Sequence, residues 1–188
     1  MTFFQLLMLG ASAFFAYKIY RHIQTLQDPQ EDVSSTFDAY LLIDKADEAM
    51  QKGDLQKGLA IYSEVNIKAP KNPETLFKIG YILTEQDRDD EAMEYYKEAL
   101  DLDPNNSYIH QATASLYRKI GEFASAKNHQ DTLLSIDDKN PIIYYNYGNL
   151  LVDMKHLDKA KEMYKKALEL DADFTEAKEE LAKLEEAK

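Results

Sequence analysis

Cysteine is missing from this chain of 188 residues. Its absence excludes disulfides and thiolate metal sites, and leaves the redox compartment open. Positive charge is scarce. The formal net charge is −12, and after Gln27 the chain carries 20 basic against 34 acidic side chains, a net of −14. Nucleic acid is held mainly by cationic side chains facing phosphates, so such a body is a poor nucleic-acid binder. Catalytic signatures are also lacking: there is no Gly-rich phosphate loop, nucleophile elbow or zinc motif. His22, His110, His129 and His156 show no metal-ligand spacing, although His110 and His129 can approach each other. The acidic run 87–91 lacks the alternating ligands and closing Glu of a calcium loop. It falls at a helix start, where acids offset the helix dipole. We therefore expect no enzyme, no metal and no cofactor.

Charge is absent from residues 1–17, MTFFQLLMLGASAFFAY. Eighteen helical residues span roughly 27 Å, close to a bilayer core of about 30 Å. Residues 3–20 therefore read as one short transmembrane helix within an anchor at 1–23. Tyr17 and Tyr20 suit the interface, and Lys18 can snorkel to it. Lys18, Arg21 and His22 follow the apolar run, so that flank, with everything after it, is expected on the cytoplasmic side. A cleaved signal peptide would open with positive charge, which is the opposite order. The small residues of GASA still allow a cleavage site, and with it an exported protein acting in envelope assembly. A buried core helix and an interfacial helix are further readings, the latter lacking a polar face. Ser12 and Ala16 form a small-xxx-small pair through which two anchors could pack into a homo-oligomer. Residues 24–36 are polar and contain Pro29, which reads as a linker, with Ser35 and Asp38 capping the next helix.

Periodicity dominates the rest. In residues 73–106, Leu76, Ile79, Gly80 and Leu83 fall at i, i+3, i+4 and i+7, one face of a helix. Ala92, Tyr96 and Ala99 share one face of a second helix, which Pro104 ends. This stretch resembles one tetratricopeptide repeat, a helix–turn–helix unit of about 34 residues with a small residue at its eighth place, Ala at its twentieth and Pro at its thirty-second. Gly80, Ala92 and Pro104 fill those places, and Leu76 stands where that pattern has Trp. The period places four units at 39–72, 73–106, 107–140 and 141–174, within a domain at 37–188. The first has Ala46, Tyr62 and Pro70 in step but Gly58 at the twentieth place, which softens its second helix. The third is the least regular, with Gln130 at the aromatic twenty-fourth place. A capping helix is expected at 175–188, opened by Asp173 and Glu176, with Ala177, Leu181 and Leu184 as its apolar stripe. The expected fold is an all-α solenoid of stacked repeats, each covering its neighbour's apolar surface.

The resemblance also implies a function. Such arrays hold a peptide or helix of another protein in a concave face lined by the first helix of each unit, at places two, five, nine and twelve. Here these are Tyr40, Ile43, Asp47 and Met50; Glu74, Phe77, Tyr81 and Thr84; Tyr108, Gln111, Ser115 and Arg118; Ile142, Tyr145, Asn149 and Val152. Asn146 lies beside them. The implied peptide-binding residues are Tyr40, Ile43, Phe77, Tyr81, Tyr108, Gln111, Ser115, Tyr145, Asn146 and Asn149. The Lys and Asn set that some members use to clamp a C-terminal carboxylate does not match, because Ile43 and Asp47 occupy its first places. A segment with apolar anchors is expected instead. The competing reading is that these tyrosines only cover helix surfaces. The chain thus reads as a membrane-anchored adaptor for a protein partner.

Overall fold

The computed structural model describes residues 33–186, and side-chain surroundings from Ala39 onward. Nine helices are found among the described residues: α1 (Val33–Gln51), α2 (Leu55–Lys68), α3 (Pro73–Glu85), α4 (Asp89–Leu102), α5 (Ser107–Lys119), α6 (Phe123–Ile136), α7 (Pro141–Asp153), α8 (Leu157–Leu170) and α9 (Thr175–Glu186). The expected all-α repeat stack is what forms. Asparagine at the last place of a unit starts the next one. Asn72, Asn106 and Asn140 sit before α3, α5 and α7, and each side-chain oxygen accepts from backbone N–H groups of the first turn. Proline follows at the first helical place of α3 and α7, where its missing donor costs nothing.

Inside each unit the turn is the same. Gly53, Asp87, Gly121 and Lys155 share the fifteenth place and all have positive φ. Their N–H groups bond back three residues, and the following N–H groups bond back five, to Ala49, Leu83, Tyr117 and Leu151. This double closure is the Schellman motif, which satisfies the last carbonyls of the first helix.

The two helices of a unit pack most closely, and each second helix then packs on the next first helix. Leu76, Ile79 and Leu83 are fully buried, as their shared face predicts. Gly80 lies flat against the Tyr96 ring, where an added Cβ would stand 2.6 Å from a ring carbon. Gly148 meets Tyr164 in the same way. First helices also touch one another: α3 contacts α5, and ion pairs join α1 to α3 and α5 to α7. The first helices therefore line the inner side of the stack.

Three expectations change. α1 begins at Val33, so residues 33–36, read as the end of the linker, form its first turn. Ser35 accordingly lies inside the helix and does not cap it. At the other end, α9 opens behind Phe174, whose carbonyl accepts from Lys178 N–H, so Asp173 is not its cap. The segment 1–23 and most of the linker lie outside the described residues. Among the described residues no helix is long and apolar enough to cross a membrane.

Candidate functional site

The inner face carries the expected residues in graded exposure. Tyr40, Tyr81, Tyr108 and Ser115 are exposed, with Tyr108 at 76%. Ile43, Phe77, Gln111, Tyr145, Asn146 and Asn149 are half-buried. Two of these also serve packing. Phe77 rests against Tyr96, with ring centroids 6.1 Å apart. Tyr145 sits between Tyr164 at 6.0 Å and Phe174 at 5.0 Å. Covering helix surfaces is thus part of their role, and each remains only partly exposed.

Second-helix tyrosines reach through to this face. Tyr62 Oη donates to Asp47, and Tyr164 Oη donates to Asn149 Oδ1 at 2.7 Å. Tyr96 Oη lies 3.2 Å from Thr84 Oγ1, which itself donates to the Gly80 carbonyl. Each tyrosine buries its ring between the two helices and spends its hydroxyl on a groove side chain. Burial pushes the Tyr96 phenol up to about 12, and burial with the Asp47 carboxylate pushes Tyr62 up further. The sequence signal was there to find: a tyrosine fifteen residues after a polar side chain, as in Asp47–Tyr62 and Asn149–Tyr164. Asn149, expected to pair with a bound backbone, has its oxygen already engaged.

Charge on this face is arranged in pairs. Lys78 Nζ lies 2.9 Å from Asp47, and Arg118 pairs with Asp153. Burial opposes the charge on Asp47, but hydrogen bonds from Tyr62 and Lys78 outweigh it and hold the carboxyl below its usual range. Lys119 holds Asp87 at 2.7 Å and Asp89 at 2.8 Å. A cleft of about 400 Å³ opens between α3 and α5, lined by Glu74, Phe77, Lys78, Asn106, Tyr108 and Ile109.

Within the third unit, His110 and His129 do meet, Nδ1 to Nδ1 at 2.8 Å. His110 Nε2 is 2.9 Å from the Pro104 carbonyl, which can only accept, so that nitrogen carries the proton. His110 Nδ1 then accepts from His129 Nδ1–H. Tyr117 stacks on His129. Burial, then repulsion from His110, push His129 down to about 4. The pair is an internal strut. Among the described residues no group of three ligating side chains could hold a metal ion.

Comparison with known proteins supplies the wider setting. The family description "Tetratricopeptide repeat" matches residues 49–116 and again 142–174, together more than half of the chain. RNA polymerase II-associated protein 3 of Xenopus laevis is 36% identical over 95 residues, covering 50% of this chain and 14% of that protein. The chain spans only 14–23% of the length of the five relatives of that name that it matches. Among solved structures, MamA superposes with a TM-score of 0.69 at 25% identity, over 76% of this chain and 83% of that one. The first TPR of Spaghetti (RPAP3) bound to HSP90 peptide SRMEEVD has a TM-score of 0.57 at 28% identity, over 61% and 91%.

Proposed function

This chain belongs to the tetratricopeptide repeat proteins, and on that premise we propose that it is a non-enzymatic adaptor holding a segment of another protein against its inner face. One observation carries the reading. The inner helices keep aromatic rings in solvent, Tyr81 at 42%, Tyr40 at 65% and Tyr108 at 76%, although buried sites for tyrosine exist on the second helices. Exposed rings on a preformed concave surface offer apolar area at little entropic cost. A related repeat domain with a bound peptide supports peptide binding as the activity. The test is Phe77, Tyr81 and Tyr145→Ala together. Crosslinked partners should be lost while the helical circular-dichroism signal stays. Retention of every partner would move binding away from this face.

The adaptor is tethered, in this proposal, by the apolar residues 3–20, with the repeats on the cytoplasmic side. The order of apolar run, then Lys18 and Arg21, supports it. Protease added outside intact cells should spare the repeats. Their digestion there, or a mature N-terminus beyond GASA by mass spectrometry, would favour the exported form.

A further inference from the structure

Three of the inner helices, α3, α5 and α7, contain three cations, Lys78, Arg118 and Lys119, each ion-paired to a carboxylate of this chain, while Lys45 of α1 lines a pocket with Lys57 and Ile61 of α2. No cation on α3, α5 or α7 is left to receive an incoming carboxylate. Anionic and aromatic groups remain available. Glu74 is exposed and has no ion-pair partner among the described residues. It stands in the cleft between α3 and α5, beside the half-buried Phe77 and the ring of Tyr108.

The other walls of that cleft are occupied. Lys78 is turned onto Asp47. Asn106 accepts from the N–H groups of Tyr108 and Ile109 at 3.1 and 3.2 Å, and its Nδ2 donates to Asp103 at 2.9 Å. Ile109 is buried. A rigid floor, one aromatic face, one exposed ring and one carboxylate are what an entering side chain meets. A planar guanidinium stacks on aromatic faces and forks onto a carboxylate, whereas an ammonium does neither as well.

We propose that the groove takes a cationic segment with apolar anchors, and that the α3–α5 cleft seats an arginine of that segment over Tyr108 and against Glu74. The inference rests on the groove reading above. It also sets this chain apart from the related domain whose bound peptide, SRMEEVD, is acidic at its end.

The experiment selects a random phage-displayed peptide library against the full chain in mild detergent. Recovered peptides are resynthesised and titrated by fluorescence anisotropy, alongside SRMEEVD. The expected peptides combine Arg with Leu, Phe or other apolar residues, outbind SRMEEVD, and weaken as salt rises. One Arg→Lys change in the peptide, and Glu74→Gln in the protein, should each weaken binding about three- to five-fold and should not add, the mark of a direct pair. Acidic or uncharged consensus peptides, tighter binding of SRMEEVD, or a silent Glu74→Gln would overturn the proposal. If Glu74→Gln is silent while Phe77, Tyr81 and Tyr145→Ala abolishes binding, the groove stands and the arginine seat falls. If the triple variant changes nothing, or no peptide is recovered, the groove reading falls as well.

Discussion

Tyrosine at the twenty-fourth place sets how small its neighbours must be. Tyr62, Tyr96 and Tyr164 each have one Gly among the two facing small places: Gly58, Gly80 and Gly148. Where Gln130 replaces the tyrosine, both places are alanine, Ala114 and Ala126. At Gly80 and Gly148 one Cβ of room is given up to the buried ring, whereas Gly58 gives it to Met50. The three glycines are therefore not equivalent. A Cβ at Gly80 or Gly148 collides with a buried ring held in place on both sides, so Gly80→Ala and Gly148→Ala should each cost about 1–3 kcal/mol. A Cβ at Gly58 meets Met50 Sδ at 3.1 Å and Cγ at 3.2 Å, atoms of a flexible side chain, and Ile82 Cδ1 at an ordinary 3.5 Å. Gly58→Ala should be neutral, or stabilising by up to about 1 kcal/mol through helix propensity. Urea denaturation followed by circular dichroism checks all three. The softness expected of α2 from its glycine thus has a second side, because the same residue opens space for Met50.

Recurring small and apolar residues account for most of what was legible in the sequence at the scale of elements, and they mark α3 to α8. The asparagine caps at Asn72, Asn106 and Asn140 were not read, and the caps expected at Ser35 and Asp173 do not form. The left-handed fifteenth place was only half visible, because glycine fills it at Gly53 and Gly121 while Asp87 and Lys155 disguise it. Lys155→Gly should relieve left-handed strain and stabilise by about 1 kcal/mol. Asp87→Gly should gain less, since it also removes the contact with Lys119. Midpoints of urea unfolding decide both. The early start of α1 was hidden because Ser34, Ser35 and Thr36 favour caps, yet that preference is weak beside propagation of a helix already formed. The inner ion pairs were illegible for another reason. Lys78–Asp47 and Arg118–Asp153 join residues 31 and 35 apart, and no periodic signal marks them. The histidine strut between α5 and α6 carries a pH dependence. His129 takes its proton near pH 4 when folded, against an ordinary value of 6.5. The unfolded chain is therefore protonated first as pH falls. The contribution is complete above pH 6.5 and is lost as pH falls through 4. His129→Asn keeps a donor toward His110 without titrating, so its urea midpoint should change less between pH 7 and 5 than that of the unaltered chain.

For the molecule as a whole, the core falls into two main clusters. One holds Tyr62, Tyr96 and Leu116, and the other holds Tyr147, Leu151 and Tyr164. Tyr117 packs against both. In a stack with only nearest-neighbour contacts, such a residue carries the coupling between halves. Tyr117→Ala should leave α1–α4 and α7–α9 with different opening free energies, where the unaltered chain shows nearly equal ones. Amide hydrogen exchange measures this, and equal protection in the variant would place the coupling elsewhere. The unbroken register of the repeats has a consequence for heredity. Each of the first three units ends on the asparagine that starts the next, and every internal turn closes in the same way. A gene segment encoding residues 73–106, copied in tandem, would therefore bring its own start signal and its own turn. The chain could lengthen by whole units without inventing a junction, so the reach of its inner surface is a quantity that duplication can count out.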